Sequence, residues 1–141
     1  REKDFEDYFN MISNSCTEEL AKILEDFWNE HNGEILHAVD WNRYSLSLLQ
    51  TICCCFGGEL LSKLFRIVAQ NYKASRSGMP DLLLWKITPS EYEIKYDILF
   101  SEVKGPRDRL SAKQYLWIHR MLEANIPVEV LHVKQEKDNK T

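Results

Sequence analysis

Long hydrophobic runs are absent from this 141-residue chain. A membrane-spanning helix needs about 18 or more consecutive apolar residues, and no charged-then-apolar leader begins the chain. The sequence therefore predicts neither membrane insertion nor secretion, and it favours an intracellular location. Because the chain begins at Arg1 rather than Met, we expect it to be part of a longer protein with further domains upstream.

Cysteine is also scarce, and its arrangement fits no zinc site. The four cysteines are Cys16 and the run at 53–55. Three adjacent positions on a helix point about 100° apart, so they cannot converge on one ion. We expect reduced and mostly packed thiols, which is typical of cytosolic or nuclear proteins.

A strong overall positive charge is missing as well, since the net charge is −4. The two halves nevertheless differ: residues 1–62 hold 4 Lys and Arg against 12 Asp and Glu, and residues 63–141 hold 14 against 10. This asymmetry makes the second half the candidate surface for a polyanion such as nucleic acid. A solvated surface of mixed charge is the alternative.

Helical spacing dominates the first half of the chain. Phe5, Phe9 and Ile12 recur at the spacing of one helical face and predict a helix over about 2–14. A second helix is predicted from Thr17 as its N-cap to a stop at Gly33. Two more helices, over 45–56 and 59–72, are predicted on either side of a Gly-Gly break.

Strand patterns begin after Gly78. The runs "PDLLLWKI" and "YDILFSEV" flank a turn region at 88–95 and predict a hairpin. A helix within 109–125 and a strand "PVEVLHV" follow, so the order is β-β-α-β. A strand–helix–strand crossover makes the last pair parallel, which predicts a mixed sheet with helices against it. We expect all four tryptophans to pack in the core, with stacking on nucleic-acid bases as the alternative: Trp28, Trp41, Trp85 and Trp117.

The stretch "SEVKGP" carries the first sign of chemistry. Side chains alternate faces along a strand, so Glu102 and Lys104 share a face and Val103 points to the other. The preceding strand starts with Pro80, which has no N–H for the ladder, and with Asp81. If the two strands pair antiparallel, Asp81 and Glu102 meet at one edge beside Lys104.

Two close carboxylates repel each other and need a compensating cation. Oxygen ligands with open positions suit Mg²⁺ or Mn²⁺ and phosphate oxygens, which indicates a phosphodiesterase in which Lys104 holds or deprotonates the attacking water. Glu-x-Lys alone is more often a surface ion pair, and Gly-x-Pro-Asp alone is often a turn. The combination on adjoining strands is the specific feature.

The residues "GMPDLLLW", "SEVKGPRDRLSAKQYLWIHRML" and "VEVLHV" resemble the nuclease domain of the Fanconi-associated nuclease family, a VRR-type member of the PD-(D/E)XK nucleases. Upstream, "HAVDWNRY", "CFGGELLS" and "SRSG" are similar too. The resemblance implies an α/β, restriction-endonuclease-like core whose mixed β-sheet is flanked by helices, with an all-helical insert before the catalytic strands. It implies a single domain over 1–141, with an N-terminal helix at 1–15, the insert at 16–77, a ββαβ core at 78–134 and a polar tail at 135–141.

This resemblance also implies a function. Members of the family are metal-dependent, structure-selective nucleases that cut 5′ flaps, trim DNA from 5′ ends and act in interstrand-crosslink repair. The expected partner is branched or flapped DNA, without a membrane, and the helical insert is associated with monomers. Two alternatives stay open: a non-catalytic DNA-binding or scaffold domain of the same fold, and a Holliday-junction resolvase-like nuclease.

Matched residue by residue, the resemblance makes Asp81 and Glu102 metal ligands, together with the backbone carbonyl of Val103. Lys104 matches the catalytic lysine. Gln114 matches the glutamine of the "KQ" on the next helix, where it would support the active site, although it could instead be a solvent-facing helix residue. The family has an additional metal-binding glutamate, for which Glu6 is a candidate by position only; the alternatives are a solvated Glu6 and a ligand upstream of this chain.

Basic residues bracket the proposed site and are candidates for phosphate contacts, which position DNA without reading its bases. For Arg109 the alternative is an ion pair with Asp108 at a helix start. The candidate DNA-binding residues are Lys73, Arg76, Arg107, Arg109 and Lys113.

Overall fold

A computed structural model of the chain describes residues 4–70, 73 and 77–134. Arg76 and the predicted tail at 135–141 therefore lie outside the described residues. The chain divides into two compact units, one of Arg1–Arg66 with Trp85–Asp97 and the other of Ile67–Leu84 with Ile98–Thr141. The elements are α1 (Phe5–Asn14), α2 (Thr17–His31), α3 (Leu46–Gln70), β1 (Leu82–Pro89), β2 (Ile94–Lys104), α4 (Ala112–Glu123) and β3 (Val128–His132).

The predicted glycine break is confirmed within α3. Gly57 has φ 70° and ψ 160°, so the helix is interrupted there. A Cβ at the adjacent Gly58 would collide with the carbonyl oxygen of Ile12, which means that only glycine lets the end of α1 approach the break so closely. Nearby, Ser62 Oγ donates to the Phe9 carbonyl oxygen at 2.8 Å.

The predicted N-cap of α2 was wrong by one residue. Thr17 is the first residue of the helix, and Cys16 precedes it in extended conformation. The reason is that Glu19 reaches back, so that its carboxylate accepts from the Cys16 N–H at 2.8 Å. This is the bond from the N-cap N–H to the N3 carboxylate of a capping box, and it pairs the Cys16 N–H, which has no partner within the helix.

Cys55 is buried and Cys53 and Cys54 are half-buried, in line with the prediction of mostly packed thiols, whereas Cys16 is exposed. Burial raises the pKa of Cys53 to about 11, and a neighbouring Cys54 thiol adds to that shift. Burial also raises the pKa of Cys54 and of Cys55. These three side chains therefore remain protonated thiols at neutral pH and are poor nucleophiles or metal ligands.

The three strands form one sheet in the order β1-β2-β3. The β1–β2 turn is shorter than predicted because both strands extend further, and it is closed by the Ser90 N–H donating to the Glu93 carbonyl oxygen at 2.9 Å. β2 and β3 run parallel, with Phe100 opposite Val128 and Lys104 opposite His132. The predicted mixed sheet is therefore confirmed, with α4 as the crossover helix.

The tryptophan prediction holds only in part. Trp117 on α4 is buried, and Trp28 and Trp41 are half-buried and meet edge-on with ring centroids 5.3 Å apart. Trp85 is 42% exposed, so its predicted place in the core was wrong. The reason is that β1 is an edge strand of the sheet and nearly all of its residues are exposed. Among the described helices, none is long and apolar enough to cross a membrane.

Candidate active site

Asp81 meets the end of β2, as the hairpin pattern predicted. Its Oδ2 accepts a hydrogen bond from the Val103 N–H at 3.2 Å. Asp81 is exposed, while the preceding Pro80 is buried and anchors the segment. The proline has no N–H to contribute, so β1 begins just after it. A carboxylate is thereby held against the edge of β2.

The Val103 carbonyl faces the same edge as Asp81. Backbone groups point to alternate sides along a strand. The Phe100 N–H donates towards β3, to the Pro127 carbonyl oxygen at 2.9 Å, and the Lys104 carbonyl oxygen accepts from the Val133 N–H at 2.8 Å. The N–H and C=O of Val103 therefore point away from β3, towards β1.

Glu102 and Lys104 form a buried ion pair on one face of β2. Lys104 Nζ lies 2.8 Å from Glu102 Oε1, and the two side chains are 10% and 1% exposed, respectively. Burying two charges costs several kcal/mol per ion unless geometry and further hydrogen bonds offset the cost. The ion pair therefore contributes little net stability, and its burial indicates a role other than stabilising the fold.

Gln114 completes the cluster from the first turn of α4. Its Nε2 donates to Glu102 Oε1 at 2.5 Å, and its Oε1 accepts from Lys104 Nζ at 3.0 Å. Oε1 also accepts from the Ser111 N–H at 3.0 Å. Gln114 is half-buried and faces the ion pair rather than solvent. Asp81, Glu102, Lys104 and Gln114 thus come together around the end of β2, while their catalytic roles stay predictions.

The second oxygen of Glu102 is the unusual atom of this cluster. Oε2 is buried and has no hydrogen-bond partner among the described residues. A buried carboxylate oxygen left unpaired is costly, and in folded proteins such an atom commonly contacts an ordered water or an ion. A divalent cation fits, because a carboxylate oxygen, the Asp81 carboxylate and the Val103 carbonyl are the hard ligands that Mg²⁺ and Mn²⁺ prefer.

The ligand set is small. Within the described residues, no group of three or more His, Cys, Asp and Glu side chains could hold a metal ion. A cation at this edge would therefore rely on two carboxylates and a backbone carbonyl, and would keep open positions for water or phosphate oxygens.

Glu6, the weakest of the predicted metal ligands, lies in the first unit and is engaged there. Both of its carboxylate oxygens accept from Arg66 Nη1, at 2.5 and 2.6 Å. Arg66 also stacks over the Phe9 ring at 4.8 Å. A metal role for Glu6 would require this pair to open, and it stays a prediction.

The basic candidates are exposed wherever the structure describes them. Lys113 Nζ donates to Ser77 Oγ at 3.1 Å. The alternative for Arg109 was wrong: no ion pair joins it to Asp108 in the described ranges, and Asp108 instead accepts from the Gly105 N–H at 3.3 Å. Arg76 lies outside the described residues; the remaining exposed candidates are Lys73, Arg107 and Arg109.

Sequence patterns missed two contributors to this site. Ser111 caps α4 and bonds both to the backbone and to the side chain of Gln114. Gly78 has φ +92°, and a Cβ there would lie 2.8 Å from the carbonyl carbon and from the Cβ of Lys113. The segment that leads to Asp81 therefore packs directly on the first turn of α4. The "GMPD" motif offered a signal, because a glycine before a turn often marks a left-handed backbone.

Gly78→Ala is expected to destabilise the protein by about 3 kcal/mol, because it combines left-handed strain of about 1–2 kcal/mol with overpacking of similar size. Gly33→Ala is the matched control: Gly33 has φ +91° but nothing within 4 Å of an added Cβ. Urea denaturation of both variants measures the difference. Equal losses of stability would show that the contact with Lys113 is unimportant.

Comparison with known proteins places the chain among nucleases. The family model described as the VRR-NUC domain matches residues 17–135. Fanconi-associated nuclease 1 of Danio rerio is 34% identical over 124 residues, which are 87% of this chain and 12% of that protein. The Fanconi-associated nuclease 1 homolog of Oryza sativa subsp. japonica is 39% identical over 112 residues, 79% of this chain and 11% of that protein. The chain spans little more than a tenth of the length of these relatives.

A solved structure supports the fold. The crystal structure of paFAN1 bound to 2nt 5′ flap DNA with gap aligns with a TM-score of 0.63 and 24% identity, covering 84% of this chain and 22% of that one. The likeness confirms the predicted restriction-endonuclease-like fold, a mixed sheet with flanking helices.

Proposed function

Because this chain belongs to the VRR-NUC domain family, we propose that it cleaves DNA phosphodiester bonds with the help of Mg²⁺ or Mn²⁺. One observation carries the proposal: the buried Glu102–Lys104 pair, bonded to Gln114, leaves Glu102 Oε2 unpartnered, and the adjacent residue Val103 holds Asp81. Such an arrangement is costly for stability, and strained or unsatisfied polar groups cluster at functional sites.

The proposed substrate is flapped or branched DNA. Relatives of this chain are named Fanconi-associated nucleases, and one solved relative holds 5′-flap DNA. We propose 5′-flap endonuclease and 5′-to-3′ exonuclease activity in interstrand-crosslink repair, by a monomer that works in the nucleus where the cell has one. Because the chain spans only part of its relatives, other parts of a longer protein would contribute to substrate choice.

Asp81, Glu102 and the Val103 carbonyl would hold the divalent cation. When bound, the cation supplies positive charge that polarises the scissile phosphate and lowers the pKa of an attacking water. Glu102 has one oxygen for that purpose, since Oε1 already accepts from both Lys104 and Gln114. Asp81 Oδ2 bonds to the Val103 N–H, which orients the carboxylate along the strand edge.

Lys104 has one donor to spare for the reaction. An ammonium group has three N–H donors, and the described contacts of Nζ are those to Glu102 Oε1 and Gln114 Oε1. The third can bind the attacking water or a phosphate oxygen. Because Nζ is fixed by two bonds before substrate arrives, little reorganisation is needed when negative charge develops in the transition state.

The test is incubation of the protein with end-labelled 5′-flap DNA and Mn²⁺, beside an Asp81→Ala variant and an EDTA control. We expect cleavage by the unsubstituted protein and a loss of about a hundredfold or more in the variant, as for removal of a ligand that supports metal catalysis. Binding without cleavage by the unsubstituted protein would instead support the scaffold alternative. Preferential cutting of a four-way junction would support the resolvase alternative.

Lys113→Gln is expected to weaken DNA binding for all sequences and to reduce the slope of log K against log salt by about 1, because one phosphate contact is lost. Lys113 is exposed at the start of α4, and its described hydrogen bond is to the neutral hydroxyl of Ser77 rather than to a carboxylate. Fluorescence anisotropy at several salt concentrations measures the slope. Lys22→Gln is the control, because Lys22 is exposed on α2. An unchanged salt slope in Lys113→Gln would contradict a phosphate contact by Lys113.

A further inference from the structure

We propose that Ser111 is a positioning residue for this site: it fixes the side chain of Gln114, and Gln114 in turn fixes Glu102 and Lys104. The inference rests on the proposed nuclease function for its kinetic consequence. Its structural basis, a link from a helix cap to a buried ion pair, is independent of that function.

The link is a reciprocal capping box at the start of α4. Ser111 Oγ accepts from the Gln114 N–H at 3.2 Å, and the Ser111 N–H donates to Gln114 Oε1 at 3.0 Å. Capping boxes satisfy two of the donors that a helix start leaves unpaired. In a capping box, the Glu or Gln side chain three residues after the cap bonds to the N–H of the cap residue. Here the same Oε1 also accepts from Lys104 Nζ.

Two donors converging on one oxygen determine the orientation of the Gln114 amide. If the amide were rotated by half a turn, its NH₂ group would face the Ser111 N–H and the Lys104 ammonium, which are donors only. Oε1 must therefore point to Ser111 and Lys104, and Nε2 must point to Glu102 Oε1. That choice occupies Glu102 Oε1 and leaves Oε2 as the oxygen without a partner.

Without the cap, Gln114 would lose this order. A glutamine side chain has several rotatable bonds and pays a large entropy cost when it is held in one conformation. Loss of the Ser111 Oγ leaves the bond from the Ser111 N–H to Gln114 Oε1 in place, but it releases the Gln114 N–H. The turn from which the Gln114 side chain projects is thereby loosened. We expect Gln114 then to sample other rotamers for part of the time, which weakens its bonds to Lys104 and Glu102.

A purely stabilising role for Ser111 makes a different prediction, and the chain offers a matched control. At the start of α3, the Leu48 N–H donates to Ser45 Oγ at 3.2 Å, the same distance as at Ser111. Leu48 has no polar side chain to return to the cap. Ser45→Ala therefore removes an equivalent cap without touching the Glu102–Lys104 pair.

The experiment compares Ser111→Gly, Ser111→Thr and Ser45→Ala by steady-state cleavage of 5′-flap DNA with Mn²⁺. Glycine is tolerated at helix N-caps with little loss of stability but has no side-chain oxygen, whereas threonine keeps one. We expect kcat to fall about tenfold in Ser111→Gly with KM nearly unchanged, the lower end of effects seen for outer-shell residues. Ser111→Thr should restore kcat, and Ser45→Ala should lower Tm without changing kcat.

A second readout does not depend on activity. The side-chain NH₂ signals of Gln114 in ¹⁵N NMR should be sharp and slowly exchanging in the unsubstituted protein, and exchange-averaged in Ser111→Gly but not in Ser45→Ala. If the unsubstituted protein does not cleave DNA, the proposed function fails while the NMR comparison still tests Ser111. Unchanged Gln114 signals, or unchanged kcat in Ser111→Gly, would overturn the inference.

Discussion

Lys104→Met is expected to reduce DNA cleavage by about a hundredfold to a thousandfold, the usual cost of removing one preorganised donor to developing negative charge. DNA binding should remain measurable, because phosphate contacts by exposed basic residues supply most of the affinity. Methionine keeps the length and apolar stem of lysine, so the variant removes the ammonium group with little change of volume. Single-turnover cleavage and anisotropy binding on the same DNA separate the two effects.

The same substitution should also change stability, since Glu102 would be left as a buried charge without its cation. Removing one partner of a buried pair costs about 3–5 kcal/mol, and Lys104 is 10% exposed, so the lower end of that range applies. Urea denaturation measures the loss. Cleavage is measured at a temperature at which each variant is folded. A loss of activity then cannot result from unfolding.

Lys95→Met is the matched control for Lys104→Met. Lys95 lies on the same strand and pairs with Asp97 at 3.4 Å, but its side chain is 68% exposed. An exposed pair contributes little to stability, so we expect Lys95→Met to retain both stability and cleavage. Full cleavage by Lys104→Met would contradict the proposed role of the lysine.

Strand alternation and hairpin pairing were enough to predict the centre of the site. Glu102 and Lys104 share a face because side chains alternate along β2, and Asp81 reaches the same end because the hairpin reverses the chain. Both rules act over short distances in sequence. The parallel pairing of β2 with β3 also followed, because a helical crossover leaves few other solutions.

What could not be predicted depends on contacts between elements. The spacing from Ser111 to Gln114 indicates a capping box, but nothing in that spacing says that the Gln114 amide also reaches Glu102 and Lys104. The close approach of Gly78 to Lys113 likewise cannot be predicted from the sequence, because it depends on how two segments pack against each other. The prediction for Trp85 was wrong for a related reason. Hydrophobicity predicts a preference for burial, but it does not predict whether another element covers an edge strand.

Glu102→Gln is expected to abolish binding of the divalent cation and to reduce cleavage to a similar degree as Lys104→Met. The substitution keeps the shape of the side chain but removes its charge, and it can place an NH₂ donor where the unpartnered Oε2 lies. A donor at that position repels a cation. Metal affinity and activity typically fall about 10–100-fold even when only a supporting residue of a metal site is replaced, so a direct ligand should cost at least as much.

The measurement is the shift of Tm on addition of Mn²⁺. A ligand that binds only the folded state stabilises it by about 2.7 kcal/mol at a concentration of 100 times Kd, so the unsubstituted protein should melt several degrees higher with saturating Mn²⁺. Glu102→Gln should show no such shift. Glu129→Gln is the control, because Glu129 is an exposed carboxylate on β3 that accepts from Ser101 Oγ at 3.1 Å. A Mn²⁺ shift preserved in Glu102→Gln would contradict a metal role for this residue.

Combining Glu102→Gln with Lys104→Met separates function from stability at this site. Each single substitution leaves one buried charge without its partner, whereas the double substitution removes both charges. Replacing a buried ion pair by neutral groups is often neutral or stabilising, by about 1–4 kcal/mol. The double variant should therefore be more stable than Lys104→Met alone, at least as stable as the unsubstituted protein, and as inactive as Lys104→Met. That outcome would mean that the pair is kept for chemistry, because the fold itself would be better without its charges.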